Sequence, residues 1–329
     1  MNVTERLIIT NGDSATAGME AAGIVGSLLP WRDMLHDGPV PPEPSLEALS
    51  GIRASYLAEQ FGRPGEIRRD FSQRDATIRD HQRYDRIELW FEHDLYDQLQ
   101  LIQVLTVLAG LSRLEGVFLV QADDYLGVMS AENLRALEKT ARAVTRDQFA
   151  AAARAWTAFT APAPDGLVAI ASEPSPLPYL PAALRRLLAE LPAIASGLSR
   201  TEERVLAALT DGSRTVGQLF KTIQDQEEAR FLGDAPFFRR LDNLGSCATP
   251  LISGLPFPSR NCADGMNDPN YRAFAQSPVS LTTAGRAALA GSFNHARENG
   301  IDRWLDGTHL TLQNLWRRER DHLVPPTAH

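Results

Sequence analysis

Two short apolar runs in the first hundred residues each end in a group of polar residues. The runs are residues 7–10 and 87–91. The residues that follow them are Asn11, Gly12, Asp13, Ser14, Glu92, His93 and Asp94. Because open α/β sheets bind ligands beyond the carboxyl ends of their strands, this pattern predicts that both groups line one ligand crevice.

The arrangement of apolar runs predicts an α/β fold followed by a helical region. A third run, residues 116–120, is separated from the second by a helical pattern, which favours a parallel three-layer sheet domain over residues 1–180. Four prolines between positions 174 and 181 mark the predicted joint. Residues 181–329 show the helix–helix–helix–hairpin order of a winged helix, which predicts a mainly helical, winged-helix-like domain.

Local signals add four more specific predictions. Ser45 and Asp94 stand where N-caps would begin helices, the second over residues 95–111. The apolar spacing of residues 19–29 predicts a helix, and the run 167–171 predicts a strand.

The charge distribution argues against nucleic-acid binding. The net charge is −8, and residues 1–125 hold 11 Arg against 20 Asp and Glu. Residues 197–255, which include the predicted third helix, hold 7 basic against 8 acidic residues. Nonspecific nucleic-acid affinity depends on Lys and Arg, so DNA binding is disfavoured and a protein-interaction or structural role is favoured for the helical domain. A protein partner or a homo-oligomer remains open.

The remaining composition predicts a cytoplasmic protein. No apolar stretch approaches the roughly 20 residues of a membrane helix. Cys247 and Cys262 have neither metal-knuckle nor disulfide-framework spacing and are interpreted as free thiols. Lys139 and Lys221 are the two lysines, which leaves few candidates for a Schiff-base or P-loop lysine.

The crevice residues suggest hydrolysis of a phosphate or acyl ester. The candidate catalytic residues are His93, His36, Asp33 and Glu92. His93 or His36 would be the general base, and Asp33 or Glu92 would orient it or hold a divalent metal, the candidate cofactor. The candidate ligand-binding residues are Asn11, Gly12, Asp13, Ser14, Asp94 and Arg303.

A structural interpretation of the same residues stays open beside this one. Asp94 would cap a helix, Glu92 would pair with an arginine, and His93 would pack under a loop. Gly12 would form a turn in which Asp13 and Ser14 cap the next helix.

The Gly12-Asp13-Ser14 segment also resembles the Gly-Asp-Ser block of SGNH-type esterases. That resemblance implies Ser14 as a nucleophile, with Asp306 and His309 in the Asp-x-x-His position. If the C-terminal tail folds back on the first domain, Arg303 and His309 could complete the crevice; a structural latch is the alternative.

Longer segments resemble the bacterial family catalogued as domain of unknown function 1835. They cover residues 8–14, 31–39 and 89–100 and extend to 302–305 near the end. The chain departs from the family where Asp306 replaces a Gly and Arg318 a Trp. The resemblance implies this architecture but no activity, substrate or catalytic residue.

Two functional hypotheses follow from the sequence. The first is binding or hydrolysis of a small ligand in the α/β domain. The alternative is a transcriptional or protein-interaction regulator with an α/β sensor domain and a winged-helix-like module.

Overall fold

The chain forms a five-stranded sheet with helices on both faces. The computed structural model describes residues 5–262, 267–320 and 322–326. The strands are β1 (Arg6–Thr10), β2 (Ser27–Pro30), β3 (Arg86–Phe91), β4 (Val117–Gln121) and β5 (Arg142–Ala143). Their order is β2-β1-β3-β4-β5; the first four are parallel and β5 is antiparallel to β4. The predicted α/β class with a mainly parallel sheet is confirmed.

Eight helices connect and cover these strands within the described residues 5–188. They are α1 (Asp13–Ala21), α2 (Leu46–Phe61), α3 (Pro64–Arg79), α4 (Leu95–Gly110), α5 (Ala131–Glu138), α6 (Arg146–Phe159), α7 (Asp165–Ser172) and α8 (Leu180–Leu188). Ser45 accepts a hydrogen bond from the Ala48 amide and Asp94 from the Tyr96 and Asp97 amides, so both predicted caps are confirmed. No helix of the described residues is both long and apolar enough to cross a membrane.

Side chains along each strand point alternately to the two faces of the sheet, so the hydrophobic core is divided between these faces. Leu7 and Ile9 join the large hydrophobic cluster that includes α4 and α6. Ile8 and Trp90 join a second cluster with Met19 of α1. Neighbouring strand residues point to opposite faces, so helices pack on both sides and three layers result.

Two of the predicted elements are wrong. The predicted helix over residues 19–29 is instead the end of α1 and the strand β2. Gly23 and Gly26 lie between them at φ values of 71° and 159°, which a continuing helix does not allow. The predicted strand at 167–171 is part of α7, where Leu167, Ile170 and Ala171 are buried at helical spacing.

The C-terminal half is mainly helical. Its elements are α9 (Arg200–Ala208), β6 (Arg214–Thr215), α10 (Val216–Asp225), α11 (Asp234–Ser246), β7 (Ile252–Ser253), α12 (Pro269–Gln276), β8 (Pro278–Leu281), α13 (Thr283–Leu289) and α14 (His295–Glu298). The three strands form a small sheet in the order β6-β8-β7. The winged-helix identity of this region and the boundary at residue 180 stay predictions. Both cysteines are free thiols.

The C-terminal tail folds back onto the α/β half. It forms two hairpins, β9 (Asp302–Leu305) with β10 (Thr308–Thr311) and β11 (Arg317–Glu319) with β12 (His322–Val324). The Val40 amide donates to the Asp306 carbonyl at 3.0 Å, and the Gly307 amide donates to the Phe159 carbonyl at 2.9 Å. A Cβ atom on Gly307 would lie 2.0 Å from the Thr160 carbonyl oxygen, so this contact requires glycine.

A buried ion pair fixes the segment that follows β2. Arg53 of α2 contacts Asp33 through Nε at 2.9 Å and Nη2 at 2.8 Å, and both side chains are fully buried. The guanidinium also donates to the carbonyl oxygens of Met34, Asp37 and Pro39. One arginine thus positions the whole turn at the carboxyl end of β2.

We expect Arg53→Met to lower the free energy of unfolding by about 3–5 kcal/mol, because buried Asp33 would lose its hydrogen-bonded arginine and keep only Arg74, 4.0 Å away. Urea denaturation measures the change. Arg83→Met is the matched control: Arg83 and Glu5 pair at the surface, at 57% and 51% exposure, so its loss of stability should be much smaller. Equal losses in the two variants would contradict the assigned role of Arg53.

Candidate functional site

The carboxyl ends of β1 and β3 meet at the point where the strand order of the sheet reverses. From β1 the chain passes to β2 on one side, and β3 lies on the other side. Open α/β sheets bind ligands in the crevice at such a switch point. Asn11 follows β1 here, and Glu92, His93 and Asp94 follow β3.

Three buried carboxyl groups lie together at this switch point. Glu92, Asp94 and Asp97 each offer an oxygen within 4.8 Å of the others. Their exposures are 5%, 2% and 1%. Asp97 lies in the first turn of α4, three residues after the cap Asp94, so the helix start brings it back to the end of β3.

Neutral N–H donors hold the cluster in place. The Asn11 amide Nδ2 donates to Glu92 Oε1 and to Asp97 Oδ2, both at 2.9 Å. The Leu126 backbone N–H donates to Glu92 Oε1 at 2.7 Å, and the Glu92 N–H donates to Asp97 Oδ1 at 2.7 Å. Asp94 Oδ1 accepts the α4 cap bonds. The three carboxyl groups are therefore oriented without a countercharge.

No ion pair joins these three acids to Arg, Lys or His in the part of the chain that the structure describes. Burial raises the pKa of Asp94 to about 8, with the neighbouring charge of Glu92 adding to the effect. Burial likewise raises the pKa of Glu92 and raises that of Asp97 well above its ordinary value. At neutral pH the cluster therefore holds at least one proton, which a cation could replace.

This proton gives the protein a predictable pH dependence. In the unfolded chain the pKa of Asp94 is about 4, so between about pH 4 and pH 8 the folded state binds the extra proton. In the presence of a chelator, we expect the free energy of unfolding to fall as the pH rises through this window. The slope from one proton is at most about 1.4 kcal/mol per pH unit.

Asp94→Asn should reduce that fall, because its amide cannot ionise. Thermal unfolding of both proteins across about pH 5 to 8 measures the difference in slope. Asp123→Asn is the control, since Asp123 is an exposed acid at the end of the neighbouring strand β4. Parallel pH profiles for the Asp94 variant and the unmodified chain would contradict the assignment.

His93 is the sequence-predicted base that lies closest to the cluster along the chain. Its ring centroid lies 5.4 Å from that of Tyr125 and 6.0 Å from that of Tyr179. The ring is half-buried, and its buried Nδ1 has no hydrogen-bond partner in the structure. His93 therefore packs between two tyrosine rings, with one ring nitrogen unpaired.

His36 lies in the core between the two halves of the chain. Its ring makes edge contacts with Tyr96, at 5.8 Å, and with Phe231, at 5.2 Å. Neither ring nitrogen has a partner, and burial lowers the pKa of His36 to about 4. The ring is therefore neutral at physiological pH.

Other predicted site residues are bound to partners elsewhere. Asp33 is held by Arg53 and is not brought into the cluster. Exposed Asp13 pairs with Arg32 at 2.6 Å, and Ser14 is exposed. Gly12 is the N-cap of α1, which no side chain caps, so the expected capping by Asp13 and Ser14 is wrong.

The tail does not complete the crevice. Arg303 donates to the Glu190 carbonyl at 2.7 Å and lies 3.8 Å from Glu202, both in the C-terminal half. His309 contacts Asp302 at 2.6 Å and stacks on Trp304. Among the described residues, no hydrogen bond links His309 to Ser14 or Asp306, as an SGNH-type site would require. The tail instead contacts the α/β half through the backbone hydrogen bonds of Asp306 and Gly307.

Sequence reasoning thus found two members of the cluster, Glu92 and Asp94, and the donor Asn11, and missed Asp97. The available signal was the three-residue spacing from Asp94 to Asp97 across a helix start, which places two acids side by side. The backbone N–H of Leu126 carries no sequence signal of its own.

Comparison with known proteins adds no relative. No protein-family model matches the chain, and no curated protein matches it. The resemblance to domain of unknown function 1835 therefore stays a prediction.

Proposed function

We propose that this protein binds a divalent cation through Glu92, Asp94 and Asp97 and uses it to bind and hydrolyse a small phosphate ester. The observation that carries the proposal is a group of three buried carboxyl groups, within 4.8 Å of one another, that no arginine or lysine neutralises in the described residues. Such a group is stable with a proton or with a cation, and three oxygen ligands suit Mg²⁺ or Mn²⁺.

The hydrogen bonds around the cluster support this proposal. Asn11 and the Leu126 N–H hold the carboxylates that would be the ligands, as outer partners do in metal sites. Glu92 Oε1 and Asp94 Oδ1 each accept two hydrogen bonds, so the ligand atoms would be Glu92 Oε2, Asp94 Oδ2 and the Asp97 oxygens, which accept one bond each.

The surroundings favour an anionic ligand once a cation is present. Gly12 begins α1 directly after Asn11, and no side chain caps this helix. Helix N-termini bind phosphate through their free N–H groups. Without a cation the acidic cluster would repel phosphate. A bound cation would remove this repulsion, so the acidic cluster and the uncapped start of α1 could then bind the same phosphate.

His93 is the proposed general base. It would take a proton from a water molecule whose oxygen attacks phosphorus, while the ester P–O bond breaks and the released alkoxide takes a proton from water. A bound cation supplies charge neutralisation of the phosphate and acidification of water. His36 is less suited, because it is buried with a pKa of about 4.

Cation binding is tested by titrating the chelator-treated protein with MnCl₂ in a calorimeter. We expect one Mn²⁺ per chain, with an affinity that rises up to about tenfold per pH unit towards pH 8, because binding displaces the proton of Asp94. Asp97→Asn and Glu92→Gln should weaken binding by at least about tenfold.

Asp123→Asn is the control that removes an acid from the same edge of the sheet without touching the cluster. Glu92→Gln relieves repulsion between carboxylates and keeps the oxygen that accepts from Asn11 and Leu126, so without metal it should be no less stable than the unmodified chain. A folded protein that binds no Mn²⁺, or cluster variants that bind it as well as the control does, would overturn the proposal.

The regulator alternative is supported by the order of elements from α9 to β8. Within that region, Arg239 of α11 pairs with Asp37 and lies over the Phe61 ring, so the third helix faces the α/β half. A mobility-shift titration against genomic fragments at low salt tests it, and a shift under these conditions would favour the regulator.

A further inference from the structure

An open cleft of about 690 Å³ is lined in part by Tyr96, which lies between the cluster residues Asp94 and Asp97 in the sequence. It lies between α2, α3 and the segments that follow β1 and β2. Its apolar lining is formed by Met34, Leu57, Phe61, Ile67 and Phe71. A cleft of this size and lining holds one small molecule.

Tyr96 connects the cleft to the cluster. Its side chain lines the cleft. Its backbone N–H donates to Asp94 Oδ1 at 2.8 Å, and its hydroxyl lies 3.4 Å from the Asn11 carbonyl oxygen. A molecule in the cleft would therefore contact the residue next to the proposed cation ligands.

Charged groups also line the cleft. Arg32 lines it together with Asp13, the first residue of α1, and pairs with both Asp13 and Asp70. The Arg32 side chain is 40% exposed, and exposed pairs of this kind exchange partners at little cost. A guanidinium at this position can contact a phosphate that extends from the cleft towards the cation.

We propose that the substrate is a phosphate monoester of an aromatic or similarly apolar alcohol, with its apolar group in this cleft and its phosphate at the cluster. The inference rests on the proposed function and specifies its substrate class. A sugar or glycerol phosphate would leave the partly exposed Met34, Phe61 and Ile67 in contact with water, whereas a phenyl group would cover them.

The test uses two phosphonates that cannot be hydrolysed as esters. Calorimetric titration of the Mn²⁺-loaded protein compares phenylphosphonate with methylphosphonate, which carry the same anion and differ in the apolar group. We expect phenylphosphonate to bind about tenfold more tightly or better, since the ring buries its surface in the cleft.

Two variants test the location of the ring. Ile67→Asn and Met34→Gln make the lining polar at half-buried positions, so each should remove most of the preference for the phenyl compound while Mn²⁺ binding is unchanged. Val25→Asn is the control, because Val25 is an apolar residue with 78% exposure outside the cleft.

The outcomes separate the two proposals. If the unmodified chain does not bind Mn²⁺, the proposed function is overturned. Normal Mn²⁺ binding with equal affinity for the two phosphonates, or a phenyl preference that both cleft variants keep, would overturn the substrate class alone. A phenyl preference that persists in Asp97→Asn without metal would show that the cleft binds apolar groups independently of the cluster, which also contradicts this inference.

Discussion

The burial of three carboxyl groups at one point determines the arrangement of this edge of the sheet. Like charges this close in a low dielectric repel strongly, so the cluster requires donors on every side and a proton or a cation among its oxygens. Asn11 links the end of β1 to the start of α4, and the Leu126 N–H adds the chain that follows β4. The segments that follow β1 and β4 are thereby hydrogen-bonded to the acids between β3 and the first turn of α4.

Two buried acids elsewhere in the same chain, Asp33 and Glu190, lie beside arginines instead. Asp33 has Arg53, and Glu190 has Arg186 and Arg240, whose charges hold the pKa of Glu190 well below its usual range. At these two positions the fold places an arginine beside the acid, whereas fully buried Asp306 has no ion pair among the described residues, and burial raises its pKa well above the usual value. At the switch point it places the amide of Asn11, which orients carboxylates without neutralising them, and this difference favours a charge that comes from outside the chain.

The parts of this site that depend on local order could be predicted from the sequence. Asn11, Glu92 and Asp94 directly follow strands, and parallel neighbours bring such residues to one edge. Asp97 depends on how α4 begins, so its position became clear from the structure alone. The helix expected over residues 19–29 was wrong, because apolar spacing in so short a run fits a helix or a strand. The positive φ values of Gly23 and Gly26 end the helix before β2.

Residues whose role depends on distant partners could not be assigned in advance. Asp33 and Asp94 both follow strands of one sheet, yet Arg53, twenty residues away, makes the first a structural ion pair. His36 depends on Phe231 and Arg303 on Glu202, contacts that no local pattern specifies. An acid at a strand end is thus a candidate ligand until tertiary contacts supply its countercharge. Asp94 receives none in the described residues, so a cation at the proposed site would compete with its proton for the carboxylate oxygens.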